Sequence, residues 1–379
     1  MPNSKSTVII GNIFPMSLLH QIALTFIPGV GAVNSRLLLK HFGSAEDVFK
    51  AKKPQLLAIP GIGEKTAQSI LQHDFFKQAE KELTFIEKYK IQTFFYSSDE
   101  YPKRLRNCYD APVLLYYKGN ADLNNSRVVS IVGTRNATPY GKELTDSLVE
   151  ELKKHNVLVV SGLAYGIDAM AHKACLKQDI KTVGVVGHGL DRIYPSQHRS
   201  LAEKMVRNGG LLTEFPSGTT PSRENFPMRN RIVAGMSDAT IIVEASLTGG
   251  ALITAELANS YNRDVFSFPG NIKQEFSAGC NYLIKTNRAS LITSAKDLEY
   301  ILGWVTENRQ EEKKQLSLSL NLSSDEKKIV TILIEKNQAG IDELAIETQI
   351  PQSKLAITIL GLEMQGILIA LPGKVYKLA

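Results

Sequence analysis

The feature that most constrains this chain is a series of short, β-branched apolar runs that begins after Arg127 and alternates with helical stretches. Apolar strands separated by helices are typical of a parallel sheet covered on both faces, so we predict an α/β fold with a doubly wound parallel sheet. Strands are predicted at 128–133, 157–161, 181–187, 211–215, 239–245 and 264–268, and helices at about 139–154, 166–178, 196–208, 228–236 and 250–262. A last strand and helix, 290–304, close the domain.

A turn rich in glycine, serine or threonine follows each predicted strand. In a parallel sheet these turns lie on one edge, so their backbone N–H groups line a groove across the carboxyl ends of the strands. Residues 226–251 add Arg229 and Arg231, on either side of Asn230 in a proline-fixed loop, and their strand ends in Thr248-Gly249-Gly250. Fixed cations beside glycine turns predict an anion site, and the anion we expect is a phosphate. The same edge carries Arg135 and Arg223.

Two copies of a Pro-Gly-x-Gly turn followed by an amphipathic helix, at 26–42 and 58–73, are typical of helix-hairpin-helix motifs. Their glycines allow a tight turn whose backbone N–H groups can bind a phosphate. Over residues 1–78, eight Lys and Arg stand against four Asp and Glu, a net charge of +4. We predict an all-α, SAM-like helix-hairpin-helix domain at 1–78 that contacts DNA; helix packing alone is the alternative. Accessory DNA contacts are predicted at Gly29, Gly31, Gly61, Gly63 and Lys65.

The rest of the chain divides by composition. Residues 79–126, with a strand-like patch at 91–96 and two later prolines, predict an extended lead-in to a Rossmann-like domain that spans 79–304. The polar stretch 305–323 predicts a flexible linker, and 324–379 predict three helices and a hairpin, the order of a winged helix. This last domain has six basic and seven acidic residues, and its recognition helix has one basic residue, Lys354. We therefore favour a protein-contacting or accessory role over reading of the major groove.

Composition sets further bounds. The chain has 44 Lys and Arg against 38 Asp and Glu, a net charge of +6, which permits a polyanionic partner. Neither a signal peptide nor a membrane span is expected, so we predict a cytoplasmic protein without membrane contact. No Walker A sequence occurs, and no GxGxxG opens the first helix, so no cofactor is predicted. The three cysteines are far apart and predict neither disulfides nor a metal site: Cys108, Cys175 and Cys280.

Several alternatives stay open at this stage. Arg229 and Arg231 could pair with Glu224 or Glu244 instead of a ligand, and Phe226 could pack partly in the core. Glu214 and Glu244 are expected to pair with the arginines. An enzymatic alternative is a nucleotide phosphoribohydrolase, whose PGGxGTxxE signature is only partly matched around Glu256. A structural adaptor for protein partners is the third class. We predict no catalytic residue, since His172 and His188 have no nucleophile at a motif spacing.

The ordered motifs between residues 101 and 285 resemble those of the DNA-processing protein A (DprA/Smf) family. They include IVGTRNATPYG, SGLAYGIDAMAH, VGHGLDRIYP, FPMRNRIVAG, VEASLTGGALITAE and FSFPGNI. The flanking helix-hairpin-helix and winged-helix domains fit the layout of this family. One departure is Gly249, where relatives usually carry a serine.

The resemblance implies a single-stranded DNA-binding protein, without enzymatic activity, that protects incoming DNA in natural transformation and helps load the RecA recombinase. It also implies a homodimer through the Rossmann-like domain. The implied phosphate-binding residues are Gly133, Thr134, Arg135, Ser161, Gly162, Arg223, Arg229, Asn230 and Arg231, to which the glycine turns add Gly166, Gly249 and Gly250. Phe226 is expected to stack on a base, and a narrow groove of this kind favours unstacked single strands.

Overall fold

The computed structural model describes residues 16–72, 75–304, 322–371 and 375–379. Contacts divide the chain into two compact units, residues 1–305 and 306–379. The predicted linker, 305–323, lies outside the described residues except for its last two positions. The finer domain boundaries drawn from the sequence stay predictions.

Helices make up the first part of the larger unit. They are α1 (Met16–Thr25), α2 (Ala32–Phe42), α3 (Ala45–Lys50), α4 (Lys53–Leu57), α5 (Glu64–Leu71) and α6 (Phe75–Tyr89). The turns before α2 and α5 need glycine, because Gly29 and Gly61 have φ angles of +79° and +94°. A Cβ at Gly29 would lie 3.6 Å from Thr66 Oγ1, and one at Gly61 would lie 3.7 Å from Leu37 Cδ1, so each turn packs on the helix of the other hairpin. The predicted tandem helix-hairpin-helix motif is confirmed.

A nine-stranded mixed sheet forms the rest of this unit, in the order β1-β2-β6-β5-β4-β3-β7-β8-β9. Its strands are β1 (Gln92–Phe95), β2 (Leu114–Gly119), β3 (Val128–Val132), β4 (Leu158–Ser161), β5 (Thr182–Val185), β6 (Gly209–Thr213), β7 (Ala239–Ile242), β8 (Asp264–Ser267) and β9 (Ser290–Leu291). The helices are α7 (Lys103–Arg106), α8 (Pro139–Leu152), α9 (Ile167–Gln178), α10 (Arg199–Arg207), α11 (Asn225–Met236), α12 (Gly250–Ser260), α13 (Glu275–Lys285) and α14 (Ala295–Ile301).

Both faces of the central strands are buried. Along β3, Val128 and Val132 pack in one core with Ile232 of α11, whereas Val129 and Ile131 pack in another with Leu148 of α8. Each face therefore needs helices to cover it, which is why nearly every residue of these strands is apolar. Strands β3 to β9 run parallel to one another. The predicted doubly wound, Rossmann-like core is confirmed.

The lead-in segment differs from the prediction. Residues 114–119 form β2, which pairs antiparallel with both β1 and β6 and extends the sheet by two strands. Tyr117 explains the fit, since its hydroxyl donates to the carbonyl of Gly209 at 2.8 Å and a Cβ at Gly210 would lie 2.3 Å from its ring. The helix-hairpin-helix domain packs on this end of the sheet, where Leu114 and Tyr116 join its core.

The smaller unit contains α15 (Ser324–Lys336), β10 (Gln338–Gly340), α16 (Ile341–Thr348), α17 (Gln352–Met364), β11 (Leu368–Leu371) and β12 (Val375–Leu378). Its strands form an antiparallel sheet in the order β10-β12-β11. This is the element order predicted for a winged helix, with residues 372–374 of the hairpin outside the described ranges. Lys354 of α17 pairs with Asp325 at 2.5 Å. Within the described ranges, none of the helices combines the length and hydropathy that a bilayer crossing requires.

Candidate nucleic-acid interface

A cavity of about 520 Å³ lies where the carboxyl ends of β3, β4 and β7 meet the amino-terminal half of α11. Backbone turns supply much of its wall, because strand order brings the glycine-rich turns of neighbouring parallel strands together. Exposed cations and glycines share this wall, which makes it suitable for an anion. Of the sequence-predicted residues, the cavity is lined by Gly133, Thr134, Arg135, Gly162, Arg223, Phe226, Arg229, Asn230, Gly249 and Gly250.

One face of α11 carries the side chains that enter the cavity. The helix begins at Asn225, three residues before the predicted start, so the arginines lie on a helix and not in a loop. Phe226, Arg229, Asn230 and Val233 all line the cavity, and their spacing of three, four and seven residues places them on one helical face.

Arg231 points away from this face, because two residues along a helix correspond to a rotation of about 200°. Its guanidinium binds the carboxylate of Glu214 and the carbonyl of Asp110, and its side chain is 10% exposed. Burial raises the pKa of Glu214 to about 7, although the charge of Arg231 opposes the shift. The expected pair between Glu214 and an arginine is therefore present, but the structure does not bring Arg231 to the cavity.

Arg229 lines the cavity from a buried position, with 6% of its surface exposed. Its Nη1 donates to the carbonyl of Val185 at 2.7 Å. A Cβ at Gly162 would lie 1.9 Å from this Nη1 and 2.3 Å from Asp168 Oδ2, so the glycine leaves room for the Arg229 and Asp168 side chains. Burial lowers the pKa of Arg229 and raises that of Asp168, and in each case the opposite charge of the partner counters the shift.

We expect Arg229→Ala to destabilise the protein by about 3–5 kcal/mol, since it leaves the buried Asp168 without its compensating charge. Chemical unfolding followed by circular dichroism measures this loss. Arg223→Ala is the matched control, because Arg223 lines the same cavity but is exposed, and its removal should change the free energy of unfolding by less than about 0.5 kcal/mol. Equal stability of the two variants would contradict a structural role for Arg229.

Arg135 is the exposed cation of the turn after β3. Its guanidinium carbon lies 5.4 Å from the centroid of the Phe226 ring, within the range of a cation–π contact. Within the described ranges it makes no ion pair. Phe226 is itself half-buried, so the ring both packs on the protein and faces the cavity. Arg135 is thus free to bind an anion while its side chain rests on an aromatic surface.

Two residues predicted to bind phosphate lie beneath the cavity. Ser161 is fully buried, and its Oγ donates to the carbonyl of Ile131 at 2.6 Å. Gly166 precedes α9 with a φ of +75°, and a Cβ there would lie 2.1 Å from the carbonyl oxygen of Thr134. Gly166 therefore packs against the turn that carries Arg135 and Ser161 against β3, and neither residue lines the cavity.

Glu244 was predicted to pair with an arginine, but in the structure its carboxylate contacts Thr138 instead. It accepts hydrogen bonds from Thr138 N at 2.9 Å and Thr138 Oγ1 at 2.5 Å. Thr138 caps α8, so the carboxylate lies beside the positive end of that helix dipole. Glu244 thereby fixes the carboxyl end of the turn after β3, whose Thr134 N donates to the Glu244 carbonyl at 2.7 Å.

The two histidines highlighted in the sequence hold backbone groups. Nε2 of His172 lies 2.6 Å from the carbonyl oxygen of Gly162, and Nδ1 lies 2.7 Å from Thr182 Oγ1. His188 Nδ1 lies 2.9 Å from the Gly189 carbonyl, and Nε2 accepts from the backbone N–H of Tyr194 at 3.2 Å. Burial lowers the pKa of His172 to about 4, so it is neutral at pH 7 and supports the glycine turn after β4.

This shift makes stability depend on pH. The pKa of His172 is lower in the folded state than the value of 6.5 expected in the unfolded chain, so its contribution is present above pH 6.5 and is lost as pH falls towards 4. Between pH 7 and pH 5 we expect a loss of about 2 kcal/mol from this residue. Urea unfolding at both pH values, for the wild type and His172→Gln, measures it; the same pH dependence in both proteins would contradict the assignment.

Several lining residues were missed by sequence analysis. Glu275 and Phe276 come from α13, a helix that was not predicted because Gly279 weakens the helical pattern. Gly279 is required there, since a Cβ would lie 2.6 Å from the carbonyl of Ser246. Further aromatic residues, Tyr165 and Tyr194, border the cavity next to Phe226. Their signal in the sequence was only their position in turns after strands.

The helix-hairpin-helix residues form a separate group, outside this cavity. Gly29, Gly31, Gly61 and Gly63 are all exposed, and the last residue predicted with them, Lys65, is exposed at the start of α5. Gly31 and Gly63 occupy the N-cap positions of α2 and α5. The turns thus leave their backbone accessible to a ligand, as the motif predicts.

Fold and site together define a class: Rossmann-like α/β proteins with a cavity, lined by glycine turns and arginines, at the carboxyl edge of the sheet. The family model for DNA recombination-mediator protein A matches residues 92–302, which is more than half of the chain. A helix-hairpin-helix model matches residues 22–83. The chain belongs to the DNA recombination-mediator protein A family, and the resemblance noted in its motifs is confirmed.

Individual relatives agree. Protein Smf of Synechocystis is 39% identical over 291 residues, which cover 75% of this chain and 72% of the relative. DNA processing protein DprA of Streptococcus pneumoniae is 36% identical over 272 residues, which cover 66% of this chain and 96% of the relative. The crystal structure of that S. pneumoniae protein superposes with a TM-score of 0.62 at 31% identity, covering 74% of this chain and 97% of the other. The structure of DNA processing protein A from Helicobacter pylori was solved to describe its single-stranded DNA binding mode. It superposes with a TM-score of 0.52 at 30% identity, covering 57% of this chain and 96% of the other.

Proposed function

We propose that this protein binds single-stranded DNA in the cavity at the sheet edge, through the phosphates of the strand. The observation that carries the proposal is the convergence of exposed Arg135, the α11 face and the glycine turns on one cavity. Backbone N–H groups and arginines bind phosphate without reading sequence. Arg229 and Gly162 shape the cavity, Ser161 and Gly166 support it, and Arg231 is left out of the contacting set.

A single strand suits this cavity better than a duplex. The cavity of about 520 Å³ is bounded by turns and by α11, and a duplex keeps its bases stacked inside, where they cannot reach the cavity wall. Phe226 beside Arg135 offers a surface on which an unstacked base can lie. The helix-hairpin-helix turns with Gly29, Gly31, Gly61, Gly63 and Lys65 are proposed as accessory contacts to the DNA.

We infer from the family that binding serves recombination: the protein protects incoming single strands during natural transformation and helps load RecA. A homodimer through the Rossmann-like domain and a cytoplasmic location are part of the same proposal. Binding without catalysis is favoured over phosphoribohydrolase activity, because Glu256, the residue that such chemistry would need, lies outside the cavity and pairs with Arg288 at 3.2 Å.

Titration of a fluorescent dT oligonucleotide, with a duplex of equal length as the control, tests the binding step. We expect tighter binding of the single strand, with an affinity that falls linearly with salt on logarithmic axes. Preference for the duplex would overturn the proposal. For the recombination step, the lag before RecA becomes active on single strands coated with a single-strand-binding protein should shorten when this protein is added.

A further inference from the structure

A second, smaller cavity of about 60 Å³ adjoins the proposed phosphate cavity. Arg135, Ala164, Phe226 and Arg229 line both, so the two cavities lie on either side of the same side chains. The rest of the smaller cavity is mainly apolar, and its wall includes the rings of Tyr165, His188 and Tyr194. A ligand that occupies the larger cavity therefore meets an aromatic surface when it extends past Phe226.

The two tyrosines are exposed and held in place. Tyr165 is 44% exposed and Tyr194 is 49% exposed, and both line the smaller cavity. The Tyr165 hydroxyl lies 2.7 Å from Gln197 Oε1, and its ring makes an edge contact of 5.0 Å with His198. The backbone N–H of Tyr194 donates to His188. These contacts hold the Tyr165 ring and the backbone of Tyr194 in place before any ligand binds, which lowers the entropy lost on binding.

The spacing of the rings indicates what they bind. The ring centroids of Tyr194 and Phe226 are 6.2 Å apart with planes at 33°, so each ring keeps surface that the other does not cover. The cavity is far below the roughly 300 Å³ at which pockets for small molecules begin, so an enclosed metabolite does not fit. A flat ring can instead lie across the exposed aromatic surface, while the adjoining larger cavity has room for the phosphate and sugar of the same nucleotide.

We propose that Tyr194 and Tyr165 form a second base-stacking subsite, which holds the nucleobase next to the phosphate bound by Arg135. The inference rests on the proposed function and deepens it, because it assigns a path to the strand: from the glycine turns, past Phe226, towards α10. Stacking on a ring face accepts every base, so this subsite adds affinity without sequence preference. It also requires unstacked bases and so contributes to the discrimination against duplex DNA.

Tyr194→Ala tests the subsite against dT oligonucleotides and against the same oligonucleotides with abasic positions, which keep the phosphates and lose the bases. We expect the variant to bind dT about tenfold more weakly than the wild type, and Tyr194→Phe to restore most of this loss. On the abasic oligonucleotide, wild type and Tyr194→Ala should bind equally. Tyr165→Ala should show the same pattern with a smaller loss. The control is Tyr300→Ala, which removes a tyrosine that is 82% exposed and lies in α14.

Two outcomes separate failure of this inference from failure of the proposed function. If Tyr194→Ala binds dT like the wild type while Arg135→Ala binds weakly, the aromatic subsite is refuted and the phosphate cavity stands. If both variants bind dT like the wild type, the proposed function itself is refuted. An equal loss for Tyr194→Ala on dT and on abasic DNA would also refute base stacking.

Discussion

Arg135→Ala should lower the affinity for single-stranded DNA by at least tenfold at moderate salt and reduce the salt dependence of binding, whatever the base sequence. Arg135 is an exposed cation of the cavity, it makes no ion pair within the described ranges, and its guanidinium lies over Phe226. Loss of one phosphate contact should lower the slope of log K against log salt by about 0.7 for a single strand. Titrations of dT, dA and mixed oligonucleotides at several salt concentrations measure both quantities.

Arg288→Ala is the matched control for this experiment. It removes the same charge from a partly exposed arginine that pairs with Glu256 outside the cavity, so it should leave the affinity nearly unchanged. A similar loss in both variants would show that net charge alone matters. A loss for Arg135→Ala on one sequence only would contradict binding through phosphates. Arg229→Ala is less informative about DNA, because the buried arginine also stabilises the fold.

The sheet edge could be predicted because strand type and turn composition are local properties of the sequence. Apolar β-branched runs separated by helices leave few arrangements other than a parallel sheet, and the turns of such a sheet share one edge. Ten of the predicted residues therefore meet in one cavity. The antiparallel strand β2 could not be predicted in the same way, since its partner β6 is about a hundred residues away and only the pairing itself reveals it.

The two arginines of α11 show what a residue pattern alone cannot predict, namely which side chain faces the cavity. Arg229 and Arg231 look equivalent as a sequence, and only the start of the helix at Asn225 decides which one faces the cavity. A loop would allow both side chains to reach one ligand, whereas a helix separates them by about 200°. The acidic partner was equally undetermined: Glu214 was expected to pair with an arginine, but its choice of Arg231 depends on how β6 and α11 pack.

Glycine can bind a ligand or permit close packing, and the sequence does not distinguish these roles. Gly166 was predicted to contact phosphate, yet the structure sets it against the turn that carries Thr134 and Arg135. Ile167 N, the next backbone donor, gives a hydrogen bond of 3.2 Å to the Thr134 carbonyl. The amino end of α9 therefore fixes the position of Arg135 through Gly166, which leads to a prediction on both stability and binding.

Gly166→Ala should destabilise the protein by roughly 3 kcal/mol and weaken single-strand binding in the molecules that remain folded. The new Cβ would lie 2.1 Å from the Thr134 carbonyl and 2.7 Å from Arg135 Cα, so the turn has to move, and overpacking of this kind costs about 1–3 kcal/mol. The φ of +75° adds about 1–2 kcal/mol for a residue with a Cβ. Urea unfolding and dT titration of the folded variant measure the two effects.

Gly43→Ala separates the two causes. Gly43 has a similar φ of +86°, but a Cβ there meets no atom within 4 Å, so this variant suffers the backbone strain without the clash. It should lose only about 1 kcal/mol and bind DNA like the wild type. If Gly166→Ala were no less stable than Gly43→Ala and bound dT normally, contact between α9 and the Arg135 turn would not position the cavity. If Gly166→Ala instead loses more stability and more affinity than Gly43→Ala, backbone packing of α9 holds Arg135 in place, since Gly166 itself does not line the cavity.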